Sequence, residues 1–116
     1  MVGPDAIIAV YMMSNRKHGT LYVGVTSRLL HRIYDHRNGL LEGFTKRHGL
    51  TRLVWFCQHD EMMAAITHEK RLKTCRREWK VNLIERDNPN WDDLYPSLIG
   101  ERPSTPSTRT FEGGRR

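Results

Sequence analysis

Cysteine is scarce in this chain. Among 116 residues only Cys57 and Cys75 carry thiols, and no CxxC spacing joins them. They read as two free, buried thiols of a reducing compartment rather than as a disulfide scaffold. His59 and His68 do not stand in an HExxH arrangement, so no zinc site is expected. No apolar run approaches the length that crosses a bilayer. The first residues, Met1-Val2-Gly3-Pro4-Asp5, show neither the basic nor the apolar region of a signal peptide. The expectation is a cytoplasmic protein without membrane attachment. Internal repeats are absent, and the length suits one domain. With 38% hydrophobic and 28% charged residues, the chain can build one small core.

Acidic residues are also in deficit: 13 Asp and Glu stand against 19 Lys and Arg, for a net charge of +6. The basic residues are clustered. Lys46, Arg47 and His48 with Arg52 form one group; Lys70, Arg71, Lys73, Arg76, Arg77 and Lys80 form another. Clustering favours a polyanionic partner over charge spread for solubility. The second stretch reads equally as a solvated face or as a phosphate track.

Ala6 to Met13 is a continuous apolar run, suited to a strand buried on both faces. Leu21 to Val25 alternates, with Leu21, Val23 and Val25 on one face and Tyr22 and Gly24 on the other. Thr26-Ser27 offers an N-cap for a helix running to about Asn38, with Gly39 as its stop. Leu53 to Gln58 is a third strand. Asp60 can cap a helix from Glu61 to about Cys75. Arg76 to Arg86 is a further helix, separate or continuous, ended by Asn88-Pro89. Asn90 caps a last turn that docks Trp91, Leu94 and Tyr95. The order β-β-α-β-α-α predicts an α/β fold with a small three-stranded, mainly antiparallel sheet flanked by helices. Residues 1–99 form the domain. From Gly100 the Pro-, Ser- and Thr-rich composition predicts a disordered tail over 100–116.

Tyr11 and Tyr22 flank a polar segment, Ser14-Asn15-Arg16-Lys17-His18-Gly19, that reads as the turn of a β-hairpin. Closure about Arg16-Lys17 would set the two phenols directly opposite, on one face. They are then either a packed aromatic pair or a site. On the next helix Leu29, Leu30 and Ile33 form the core stripe, and Arg32 and His36, one turn apart, border it. On the helix after the third strand, Met62, Ala65, Ile66 and Leu72 make an apolar stripe with Glu69 in its middle. A carboxylate on a buried face must be ion-paired or bind metal, and both readings stay open. Trp55, Trp79 and Trp91 read as core or docking residues, Met12-Met13 as core and Met62-Met63 as core and its border.

A paired-tyrosine hairpin, a helix bearing Arg32 and His36, and a later inward Glu69 together resemble the GIY-YIG nuclease family. Ala9-Val10-Tyr11 stands for the first motif and keeps its tyrosine; Tyr22-Val23-Gly24 stands for the second, and the eleven-residue step between tyrosines fits. The run Gly43-Phe44-Thr45-Lys46-Arg47-His48, followed by Leu53-Val54-Trp55, is similar to the compact, single-domain bacterial branch. The likeness spans roughly residues 6 to 98. It implies catalytic roles for Tyr11, Tyr22, Gly24, Arg32, His36 and Glu69, and for a late asparagine. Asn88 is the choice for that asparagine, with Asn82 and Asn90 as rivals.

The resemblance further implies an endonuclease hydrolysing phosphodiester bonds, with Glu69 holding one Mg²⁺ or Mn²⁺ ion. Arg32 would contact the scissile phosphate. Tyr11 would act as general base or orient the water, the first role needing nearby positive charge to lower a pKa of about 10. Tyr22 would join the same network, and Gly24 would allow close approach where a side chain clashes. Nucleic acid is the expected partner, DNA the first choice of substrate, with Lys46, Arg47, Arg52, Lys70 and Lys73 as its contacts. A protein partner would supply any targeting. The alternatives are a nucleic-acid-binding module that keeps the fold but cleaves poorly, and a protein-interaction domain using the sheet surface.

Overall fold

The apolar run Ala6–Met13 supplies the strand that must be covered on every side, and it becomes the centre of the sheet. β1 (Ile8–Ser14) is buried along nearly its whole length and pairs antiparallel with β2 (Leu21–Thr26) on one side and β3 (Arg52–His59) on the other. In this computed structural model, which describes residues 6–100, the helices are α1 (Leu29–Arg37), α2 (Phe44–His48), α3 (Met62–Thr74), α4 (Arg77–Asp87) and α5 (Tyr95–Leu98). The expected three-stranded sheet flanked by helices is present. α2 is an element the sequence reading lacks. The segment from residue 101 onward, expected to be a disordered tail, lies outside the described residues. Among the described residues no helix is long and apolar enough to cross a membrane.

Strand alternation divides the core in two. Val10, Met12 and Val23 face a cluster closed by Ala65 and Leu72 of α3, Ile84 of α4 and Trp91. Ala9, Tyr11 and Met13 face the other cluster, closed by Leu29 and Ile33 of α1 and by Leu50. β3 obeys simple alternation only in part. A register shift between Met12 and Met13 bulges the strand, so Val54 and Trp55 both join the α3–α4 side while Leu53 joins the α1 side. A bulge re-aims side chains in this way because one extra residue breaks the period of two.

The hairpin corrects the expected register. Its turn is closed by a Gly19 N–H to Arg16 carbonyl bond of 2.9 Å, with His18 in the left-handed region at φ 59°. The turn therefore centres on Lys17-His18, not on Arg16-Lys17. Tyr11 opposes Gly24, and Tyr22 opposes Met13. The two tyrosines become diagonal neighbours. Each partner moves by two residues, and an even shift keeps a side chain on its face. The common face survives although the direct opposition does not.

Several boundaries differ for local reasons. Thr26 Oγ1 accepts the Arg28 N–H at 3.0 Å, which turns the chain before α1 without capping the helix itself. Asp60 does not cap α3; Glu61 occupies the N-cap without a side-chain hydrogen bond. Extended backbone at Cys75 and Arg76 separates α3 from α4. Gly39, at φ 65°, follows α1 as the expected left-handed stop. Trp55 and Trp91 are buried, but Trp79 is 60% exposed and no core residue. Cys57 and Cys75 are free but only half-buried.

The segment after α4 straps the outer edge of β3. Asn88 Nδ2 donates to the carbonyls of Val54 (3.1 Å) and Asp92 (2.9 Å), and its Oδ1 accepts the Asp92 N–H at 3.0 Å. Asp93 Oδ1 accepts the Leu53 N–H at 3.2 Å, and the Leu94 N–H reaches the Leu53 carbonyl at 2.8 Å. Asp93 also pairs with Arg37 of α1. These bonds satisfy the edge backbone that a bulged strand leaves open. Asn88→Ala should therefore lower stability by about 1–3 kcal/mol, the cost of leaving a buried carbonyl unpaired. Urea unfolding checks this, and an unchanged midpoint would mean the strap does not depend on Asn88.

Candidate active site

Tyr11 is fully buried, and its ring crosses the sheet over Gly24. The absence of a side chain at Gly24 makes that path available. A Cβ built there would lie 2.5 Å from both Cζ and the hydroxyl oxygen of Tyr11, closer than any real contact. Gly24 thus serves a close approach by a side chain of its own sheet. Tyr22 packs beside Tyr11 with ring centroids 6.2 Å apart. Phe44 of α2, partly exposed, stacks on Tyr22 with ring centroids 6.4 Å apart and planes 24° from parallel.

The Tyr11 hydroxyl lies 2.9 Å from His36 Nε2, and His36 Nδ1 lies 3.0 Å from Thr45 Oγ1. Arg32, one turn before His36 on α1, and the Tyr22 phenol both stand near enough to the Tyr11 hydroxyl to act on its proton. Arg32 can only donate. Two proton arrangements satisfy the chain: in one the phenol donates to Nε2 and Nδ1–H donates to Thr45, and in the other tautomer Thr45 donates to Nδ1 and Nε2–H donates to the phenol oxygen.

The electrostatics suit both arrangements. Burial pushes the Tyr11 phenol well above its ordinary range, the Tyr22 phenol adds to the rise, and the Arg32 guanidinium opposes it. The His36 imidazole is lowered to about 4, chiefly by burial and next by the charge of Arg32, with Asp35 working against both. At neutral pH the pair is a protonated phenol against a neutral imidazole. His36 is not the rim residue its helical position implied: it is 5% exposed. Arg32 is exposed and also lines an open cleft with Arg28, His31, Asp35 and Met62, the first residue of α3. It links the buried chain to solvent.

Five of the expected residues, Tyr11, Tyr22, Gly24, Arg32 and His36, converge here. Glu69 lies between Ala65 and Leu72 on the buried stripe of α3, a helix packed on β2 and β1. Its carboxylate is 11% exposed and pairs with Lys73 Nζ at 2.5 Å. Asn88 makes its hydrogen bonds in the β3 strap. Among the basic residues, Lys46 pairs with Glu42, Arg52 donates to the Trp91 carbonyl, and Arg47 and Lys70 are exposed. Thr45 and Phe44 were missed as site residues. Their segment stood out in the sequence for its charge and family likeness, but no local pattern tells that Thr45 meets an imidazole from another helix.

Two phenols, an imidazole and a guanidinium thus gather beside an open cleft. The GIY-YIG catalytic domain model matches residues 7–82, which include every residue of this group. The chain belongs to the GIY-YIG family of nucleases. Comparison with curated proteins and with solved structures finds no match. The departure in the first motif is absorbed by packing: Ala9 and Val10 are both fully buried in the central strand, with the ladder to β2 unbroken.

Two outcomes follow for this site. Gly24→Ala should displace Tyr11 and cost about 1–3 kcal/mol, the usual range for overpacking. The His36 imidazole resonance, followed by NMR, should then shift as its phenol partner leaves; an unmoved resonance would deny the close approach. The second outcome concerns acid. His36 has a lower proton affinity folded than unfolded, so the unfolded chain takes up a proton first. Its contribution to stability is complete above about pH 6.5 and is lost as pH falls toward about 4. Urea unfolding between those limits should show a shallower acid decline for His36→Gln than for the wild type. Equal declines would remove His36 as a source.

Proposed function

We propose that the protein is a divalent-metal-dependent endonuclease that hydrolyses phosphodiester bonds, with DNA as the first choice of substrate. The observation that carries this reading is the Tyr11–His36–Thr45 chain, whose phenol also stands near Arg32 and Tyr22, within a GIY-YIG catalytic domain.

Arg32 binds and orients the scissile phosphate. It is the exposed donor that bridges the cleft and the phenol, and a guanidinium offers two parallel hydrogen bonds to phosphate oxygens. Of the two roles open to Tyr11, orientation of the attacking water fits better than that of a standing base. Burial keeps the phenol protonated, and its proton has a partner in His36 Nε2. When phosphate draws the exposed Arg32 guanidinium toward the cleft, the phenol oxygen, buried in the free protein, accepts a hydrogen bond from water in its place. His36, held neutral and anchored by Thr45, fixes the direction of the phenol proton. Tyr22 completes the network, steadied by Phe44.

Glu69 is the residue that would hold the metal. Its donor chemistry fits: a single hard carboxylate, little exposed and on an otherwise apolar stripe, with a half-exposed Lys73 as its ion-pair partner. With a cation bound at Glu69, Lys73 would be released from its carboxylate partner and could turn toward phosphate. Mg²⁺ or Mn²⁺, when bound, supplies charge neutralisation at the phosphoryl oxygens. Arg47 and Lys70 are the cations best available to the nucleic-acid backbone, with Lys46 held by Glu42, Arg52 by a main-chain carbonyl, and Lys73 by Glu69 until a metal ion takes its place. Asn88 has its amide engaged by the strap and acts through the position of that segment. The closed Glu69–Lys73 pair favours a second reading, a nucleic-acid-binding module without turnover.

A panel of labelled DNA and RNA structures, incubated with Mg²⁺, Mn²⁺ or chelator, separates the readings. Wild type should cut at least one DNA form when metal is present, and Glu69→Gln should stay folded and cut none. Arg32→Ala should lose about 10²–10³ in rate, with a smaller loss in binding. Affinity should fall with salt at a log–log slope of about 0.9 per duplex phosphate neutralised. Salt-sensitive binding without cleavage of any substrate would make the binding module the better description. Neither binding nor cleavage would favour the interaction domain.

A further inference from the structure

Cys57, His59 and His68 lie apart from the tyrosine chain, and neither nuclease nor binding chemistry uses them. Cys57 and His59 alternate on β3, so both point to the face covered by α3, and they oppose Val10 and Ile8 of β1. His68 reaches them from α3. One donor atom from each of the three side chains lies within 4.8 Å of the other two. His59 Nε2 and His68 Nδ1 are 2.8 Å apart, so one of the two nitrogens carries the proton that lies between them. The edge of the Trp55 ring system, 6.0 Å away at 82°, holds the His68 ring. All three residues are half-exposed.

We propose that Cys57, His59 and His68 form a three-ligand site for a zinc-class divalent ion, tying β3 to α3 beside Glu69. Two imidazoles and a thiol are the donors that zinc prefers, and a hard ion such as Mg²⁺ does not. Around a tetrahedral ion with bonds of about 2.0–2.3 Å, neighbouring donors stand about 3.3–3.6 Å apart. The present cluster needs the two imidazoles to part by roughly half an ångström from their 2.8 Å contact. Binding replaces the shared imidazole hydrogen bond, and the Cys57 thiol releases its proton to solvent. A water fills the fourth position, since the cluster opens outward. Because His68 precedes Glu69 on the helix, the ion holds α3 in place at the residue the nuclease reading uses.

The test uses the full chain, reduced and stripped of metal, with Co²⁺ as the spectroscopic probe and Zn²⁺ as competitor. One Co²⁺ per chain should bind with a thiolate-to-metal absorption band, and Zn²⁺ should displace it and raise the melting temperature. Cys57→Ser, a near-isosteric change at a half-exposed position, should lose the band, whereas Cys75→Ser should keep it. His68→Ala should weaken Zn²⁺ binding by at least about 10²-fold, since even outer partners of metal ligands contribute 10–100-fold. The inference fails if no thiolate band forms, if the band survives in Cys57→Ser, or if Cys75→Ser abolishes it. None of these readouts passes through nucleic-acid cleavage, so the nuclease reading stands or falls separately.

Discussion

The hydrogen bond between the Tyr11 phenol and the His36 imidazole joins residues 25 apart in the chain and is buried. Much of the local architecture is arranged to permit it. Gly24 clears the path of the phenol ring. Leu29 and Ile33 seat α1 on the sheet so that His36 faces inward. α2 brings Thr45 to the far nitrogen of the imidazole. Burial of this chain raises one proton affinity and lowers the other, and both shifts keep the pair uncharged. A buried polar chain is stable only when every member is satisfied. Arg32 is a charged group that acts on it, and its exposure lets the charge remain solvated until an anion takes the place of water.

The second constraint is the bulge in β3. It turns Val54 and Trp55 to the same side and sends Leu53 to the other, which lets one short strand serve both clusters. An open, bulged edge is a liability for a small sheet. Asn88, Asp93 and Leu94 close it with side-chain and main-chain bonds, and Arg37 carries the same strap to α1. The domain's last elements therefore support the strand that bears Cys57 and His59 and the helix that bears Arg32 and His36. Asn88, for which the family resemblance implied a catalytic role, carries a structural one in this strap.

Much of the site was legible in the chain because its signals are local. Alternation put Tyr22 and Gly24 on one face. Helical spacing paired Arg32 with His36 and set Glu69 in an apolar stripe. The turn was misplaced by one residue, since a polar hairpin segment offers several closures of nearly equal cost. The error left the faces correct because the shift in pairing was even. α2 was invisible for a related reason: a five-residue helix shows too little periodicity, and its burial of Thr45 depends on α1.

The sequence by itself determined the two apolar faces of β1, the hairpin, the stripes of α1 and α3, and the ordered set of residues that marks the family. Each follows from side-chain periodicity over a few turns or pleats. Tertiary structure alone decided that Tyr11 opposes glycine and not Tyr22 across the ladder, that its phenol meets His36, and that Thr45 completes the chain. It also gathered Cys57, His59 and His68, which carry no spacing signature because the third ligand comes from a different element. Proton affinities belong to the same group. They are set by desolvation and by charges a few ångströms away in space, and neither is encoded in the residues that stand next to one another in the chain.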